Sequence, residues 1–139
     1  MHGTNTSLKG KVFELNLLME NKKTIVLGAS ANPARYSNLA VKKLSAYKHP
    51  VIAIGRRKGS IGEVEINVGE IPVEGIDTIT LYLNAFNQKQ YYNYILSLKP
   101  RRIIFNPGAE NEELAVLAEQ QGIKAQEACT LVLLSTGQY

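Results

Sequence analysis

A chain of 139 residues, 45% hydrophobic and 20% charged, has the size and make-up of one folded domain, which excludes a disordered or fibrous chain and leaves no room for two domains. The net charge of +4 is spread thinly; the single cysteine, Cys129, excludes an internal disulfide framework and fits a reducing, cytoplasmic compartment. No run reaches the roughly 18 apolar residues of a membrane span, and two histidines with one thiol leave too few ligands for a structural zinc site.

Residues 1–22 carry little pattern beyond one apolar turn in VFELNLL and lack the long apolar core of a secretory signal. They read as an N-terminal extension, with Met19 an alternative start or the segment a swapped arm, ahead of a domain over 23–139. From residue 24 the chain alternates between two kinds of segment. TIVL at 24–27 is a short β-branched strand, ended by Gly28-Ala29-Ser30-Ala31-Asn32-Pro33. Ser37 stands where a helix N-cap belongs, and Ala40, Val41, Leu44 and Tyr47 recur at helical spacing until His49-Pro50 stops them. A second strand at 51–54 runs into a loop at 55–60, and a minor strand is expected within 63–68. The third strand spans 78–83. A helix from Asn87 places Tyr91, Tyr94, Ile95 and Leu98 on one face, up to Pro100. A fourth strand at 102–105 turns out through Asn106-Pro107-Gly108. The next helix, 110–121, has acids in its first turn and Gly122 at its stop. Residues 123–128 form the fifth strand, and 130–134 a short last helix.

Continuous apolar strands separated by helices predict an α/β fold: a doubly wound, mostly parallel five-stranded sheet covered on both faces. Ligands of such sheets bind at the carboxyl ends of the strands, where the winding reverses. The candidate site therefore falls on the loops at 28–37, 55–60, 84–87 and 106–110. The first of these lies directly between a strand and a helix, where backbone N–H groups and a helix N-terminus can face an anion. Gly28 lets the chain turn and lets a pyrophosphate approach, with Ser30, Asn32 and Ser37 able to add hydrogen bonds; the plainer alternative is that Gly28 and Pro33 only shape the turn. The G-x-G-x-x-G fingerprint and the P-loop are both missing, which counts against an ordinary NAD site or a nucleoside-triphosphate hydrolase.

The second strand ends in Gly55-Arg56-Arg57-Lys58. In dinucleotide-binding sheets an acid here binds free ribose hydroxyls, whereas a cation accommodates a ribose phosphate, as in NADP or coenzyme A. A solvated basic loop is the alternative. Three adjacent cations suit one or two phosphates and not a duplex, so no nucleic-acid partner is expected.

Together these segments resemble the stand-alone CoA-binding domain family, related to the nucleotide-binding domain of the succinyl-CoA synthetase alpha subunit. The resemblance is carried by Gly28 to Pro33 with Arg35, Tyr36 and Ser37; by Arg56-Arg57-Lys58-Gly59-Ser60-Ile61-Gly62; by Gly75-Ile76-Asp77; by Asn106-Pro107-Gly108-Ala109-Glu110-Asn111; and by Glu127-Ala128-Cys129-Thr130. It implies a Rossmann-like fold that binds coenzyme A through Gly28, Ala29, Ser30, Asn32, Arg35, Tyr36, Ser37, Arg56, Arg57, Lys58, Asn106, Pro107 and Gly108. The pyrophosphate is expected on the first loop and the phosphorylated adenosine near Arg56 and Arg57. Gly55-Arg56 stands where many members have Asn-Pro, and the catalytic histidine of the synthetase lies outside the matching part.

Few residues suggest catalysis. His49 precedes Pro50 away from the strand carboxyl ends and reads as a capping or surface residue. Cys129 is either a small buried hydrophobe or a thiol within reach of pantetheine. Glu110, Glu112 and Glu113 could hold magnesium or act as bases, but acids in a first helical turn need only the helix dipole as their reason. Tyr91, Tyr92 and Tyr94 offer a packing face or the seam of a homodimer. The leading expectation is a non-enzymatic protein that binds CoA or acyl-CoA, and the alternative an NADP-dependent oxidoreductase on the same sheet.

Overall fold

A computed structural model describes residues 21–139. The proposed start at Met19 and most of the expected extension lie outside the described residues. Lys22, assigned to that extension, is tied to the domain: its backbone N–H donates to Nδ1 of His49 at 3.0 Å and its ammonium to the Tyr139 carbonyl at 2.6 Å.

The elements are β1 (Thr24–Ala29), α1 (Tyr36–Ala46), β2 (Val51–Gly55), β3 (Gly59–Ile61), β4 (Val64–Asn67), β5 (Thr78–Leu81), α2 (Ala85–Gln88), a 3₁₀ turn (Lys89–Tyr91), α3 (Tyr92–Ser97), β6 (Arg102–Phe105), α4 (Glu112–Gln120), β7 (Lys124–Glu127) and α5 (Thr130–Ser135). They form one seven-stranded sheet in the order β3-β4-β2-β1-β5-β6-β7. The five expected parallel strands are β1, β2, β5, β6 and β7, and β4 falls in the minor strand expected within 63–68; the count of five leaves out the hairpin β3–β4. That hairpin extends one edge, with β4 parallel to β2 and β3 antiparallel to β4. Gly59 and Ser60, expected in a loop, pair as β3 because Ile61 and Ile66 must both point into the core, where they are 3% and 4% exposed.

Strand alternation divides the core into two layers. Ile25, Leu27, Ile79, Leu81, Ile103 and Phe105 face α3 and α4 through Tyr94, Ile95, Leu114 and Ala118. Val26, Ala53 and Ile104 belong to the opposite layer, with Val41 and Leu44 of α1 and Leu133 and Leu134 of α5. Tyr91, Tyr92 and Tyr94 belong to the first layer as packing residues. Tyr94 is 8% exposed and donates its hydroxyl to the Ile71 carbonyl.

The winding reverses between β1 and β5, since α1 leads from β1 to β2 on one side while the chain later returns to β5 on the other. Gly28 interrupts the β1–β2 register there, between Leu27 and Ala29. Its φ is +99°, and a Cβ would lie 3.0 Å from the Tyr82 carbonyl carbon and oxygen. Both facts restrict the position to glycine.

Local starts and stops differ from the sequence reading in physically simple ways. Ser37 is not the N-cap of α1. Asn32 accepts the Ala34 N–H on its side chain and the Arg35 N–H on its carbonyl, a turn that starts the helix at Tyr36 and leaves Ser37 buried inside it. The helix expected from Asn87 begins earlier, because Asn84 is the N-cap and accepts the Asn87 N–H on its side chain. Asn111 caps α4 in the same way through the Leu114 N–H. His49 is a core residue, 7% exposed, with its ring 4.9 Å from that of Tyr139.

Candidate functional site

A cleft of about 800 Å³ opens over the carboxyl ends of β1, β2, β5 and β6, astride the reversal point. It is lined by the loop after β1, by Arg56, Arg57 and Lys58, by Tyr82 to Asn84 with Asn87, and by Pro107 to Ala109.

The loop after β1 is built by short-range polar bonds. Ser30 Oγ accepts the Asn32 N–H at 3.1 Å, and the side chain of Asn38, buried in α1, donates to the Ser30 carbonyl at 2.9 Å. These bonds hold the loop against α1, whose first turn has neither a side-chain cap nor an acid. Tyr36 and Ser37 of that turn line the cleft, which puts the positive end of the helix dipole beside it. Arg35 stands at the N-cap position of the same turn. Arg56, Arg57 and Lys58, all exposed, project from the short connection between β2 and β3. The lining carries four cationic side chains and no carboxylate. A concave, positively charged surface of this kind concentrates polyanions.

The half over β5 and β6 is different. Leu83, Asn84, Asn87, Pro107, Gly108 and Ala109 bring no charge. Glu110 accepts the Gly108 N–H at 2.8 Å, so that amide is already satisfied and a carboxylate stands beside it. Tyr82 is among the lining residues, but its hydroxyl is buried, and that burial pushes the phenol well above its ordinary range.

The sequence model of a CoA binding domain matches residues 22–135. The chain belongs to the CoA binding domain family. A crystal structure of an uncharacterized protein is 48% identical, with a TM-score of 0.84 over 86% of this chain and 98% of that one. A Thermus thermophilus protein, cell-free ID.343, shares the fold at 16% identity, with a TM-score of 0.76 over 91% and 97% of the two chains. An acetyl-coenzyme A synthetase from Ca. Korarchaeum cryptofilum, solved with phosphate and ADP, contains the same fold within a longer chain: TM-score 0.62 at 16% identity, covering 78% of this chain and 26% of that one. No curated protein matches the sequence.

In this CoA binding domain the cleft brings together Gly28, Ala29, Ser30, Asn32, Arg35, Tyr36, Ser37, Arg56, Arg57, Lys58, Pro107 and Gly108. Asn106 lies beneath it. At 2% exposed, its amide donates to Thr80 Oγ1 at 2.6 Å and to the Leu81 carbonyl at 2.9 Å, while its Oδ1 accepts the Thr130 N–H at 2.9 Å. Those bonds occupy its side chain within the fold, and Asn106 is not among the residues that line the cleft. Cys129 is half-buried at the N-cap position of α5 and does not line the cleft. Among the described residues no three His, Cys, Asp or Glu side chains group as metal ligands.

Tyr82 and Leu83 were missed as lining residues because the sequence reading extends the third strand to residue 83, whereas β5 ends at Leu81. Asn84 and Asn87 fall in a loop the sequence marks, and their cap pairing is the signal that would have singled them out.

Proposed function

We propose that this chain is a non-enzymatic CoA or acyl-CoA binding protein, with the phosphates of the ligand in the cationic half of the cleft. The observation that carries this reading is the cleft's charge: Arg35, Arg56, Arg57 and Lys58 around a helix N-terminus with no side-chain cap, and no carboxylate in the lining. Coenzyme A carries a pyrophosphate and a 3′-phosphate. The glycine turn and the first turn of α1 suit the former, and the arginine pair after β2 suits the latter, because a guanidinium offers phosphate a planar fork of donors. A binding role is favoured over chemistry because the lining holds neither imidazole nor carboxylate to serve as a base, and because the hydroxyl of Tyr82 is buried away from the cleft surface.

Calorimetric titration of CoA and dephospho-CoA against the wild-type chain and an Arg56→Ala/Arg57→Ala double variant tests the placement. CoA is expected to lose about tenfold in affinity per arginine, less at high salt, while dephospho-CoA loses much less. Equal losses for the two ligands would move the arginines to the pyrophosphate or to a general field. Unchanged binding would make them solvated loop cations. Tighter binding of NADPH than of CoA would overturn the CoA reading in favour of the oxidoreductase.

A further inference from the structure

Beneath the uncharged half of the cleft lies Gln88, the last residue of α2 and fully buried. Its amide nitrogen makes two bonds that differ in what they hold. One goes to the Leu83 carbonyl at 2.8 Å, in the loop after β5, and the other to the Ala109 carbonyl at 2.7 Å, in the loop after β6. Both acceptors belong to residues that line the cleft, one in the loop after β5 and the other in the loop after its neighbour β6. The carbonyl end of Gln88 is occupied as well, accepting from the Asn111 amide at 2.8 Å. The same amide donates to the Tyr92 hydroxyl at 2.8 Å, and Asn111 Oδ1 caps α4. A single side chain therefore spans two loops that the backbone reaches separately, and its own orientation is fixed from the far side by Asn111.

The two halves of the cleft present different chemistry. The cations and the first turn of α1 surround one half. The other offers Leu83, Asn84, Asn87, Pro107, Gly108 and Ala109, with the Glu110 carboxylate on the Gly108 N–H. That carboxylate repels phosphate from this half, and the two asparagine side chains there suit an uncharged chain bearing amides. In coenzyme A such a chain is the pantetheine arm.

We propose that Gln88 is the positioning residue for this uncharged, amide-bearing arm: by bridging the Leu83 and Ala109 carbonyls it sets the width of the half-cleft that holds the arm, without touching the ligand. This rests on the CoA reading above. An amide is the side chain suited to the place, since the two loop carbonyls require two donors from one nitrogen and Asn111 requires an acceptor at the other end. Methionine matches its length and flexibility but supplies no donor. Glutamate matches its shape and supplies at most one proton, and only when neutral.

The experiment compares Gln88→Met with the wild-type chain using two probes, CoA and adenosine 3′,5′-bisphosphate, the second lacking the arm. CoA affinity is expected to fall about tenfold, while the bisphosphate, seated in the cationic half, changes by less than about twofold. The bisphosphate also reports that the variant is folded. Should Gln88→Met fail to fold, Gln88→Glu is read against the same two outcomes. Equal losses for both probes would make Gln88 a purely structural residue, and unchanged CoA affinity would show that the bridge does not set the site; either result overturns the inference while leaving the CoA reading intact. A wild-type chain that does not bind CoA would instead remove that reading, and the inference with it.

Discussion

Replacing Asn106 by alanine separates a residue that builds the cleft from one that touches its ligand. Asn106 joins three elements: β5 through Thr80 and Leu81, β6 through its own backbone, and α5 through the Thr130 N–H. The Thr130 amide belongs to the first turn of α5, where no intrahelical acceptor exists and where the N-cap residue, Cys129, gives no side-chain cap. Alanine would leave that N–H without its acceptor and the Leu81 carbonyl without its side-chain donor. Thr80 Oγ1 would keep its 2.8 Å bond to the Thr130 hydroxyl. Two buried groups left unpaired cost about 1–3 kcal/mol each, and water entering the vacated space recovers part of this, so a loss of about 2–4 kcal/mol is expected. In urea that moves the unfolding midpoint down by about 1–2 M for a domain of this size. CoA affinity, measured where the variant remains folded, should stay within about threefold of wild type, because the amide does not reach the cleft surface. A midpoint that does not move, together with a large loss of CoA affinity, would refute this reasoning and return Asn106 to the ligand.

Gly28→Ala is expected to lose at least about 2 kcal/mol of stability, since the new side chain would take a positive φ and press on the Tyr82 backbone; a thermal melt equal to wild type would show that the loop relaxes freely. Burial raises the phenols of Tyr82, Tyr92, Tyr94 and Tyr139 above their ordinary value of 10, so the folded state holds these protons more tightly than the unfolded one. The stability they confer is complete below about pH 10 and is lost as pH rises further, which an alkaline denaturation series should show, with Tyr82→Phe reducing the slope. A chain starting at Met19 should keep the melting temperature and CoA affinity of the full chain, because it retains Lys22 and its two bonds to His49 and Tyr139, and the alternation of strands and helices begins only after it. A change in either would give the preceding segment a structural role.

The fold was legible where strands were continuous and apolar. TIVL, VIAI and RIIF can be buried on both faces only in a parallel sheet with two helical layers, and β1, β2 and β6 contain them. The hairpin was faint because its strands are short, β3 is Gly-Ser-Ile, and only three apolar side chains, Ile61, Val64 and Ile66, share its inward face. Element ends were legible only in part. Asn84 and Asn87 are equally good caps by residue type, and the end of β5, set by its pairing with β1, decides between them. The cationic half of the site was readable because βα loops and basic residues are local features. Gln88 was not: its role depends on two carbonyls brought together by separate strands, and nothing at position 88 of the sequence distinguishes it from the exposed Gln90 two residues on. The burial of His49 and the bonds of Asn106 were not legible for the same reason, since their partners, Lys22 and Tyr139 for one and Thr80, Leu81 and Thr130 for the other, are distant in sequence.

The most direct test is a thermal melt of the full chain with CoA and, separately, with NADPH. A ligand selective for the folded state and present at about 100 times its Kd adds about 2.7 kcal/mol, which for a domain of this size raises the melting temperature by roughly 10 °C. CoA should produce that rise and NADPH little or none. A rise with NADPH and none with CoA would contradict the account.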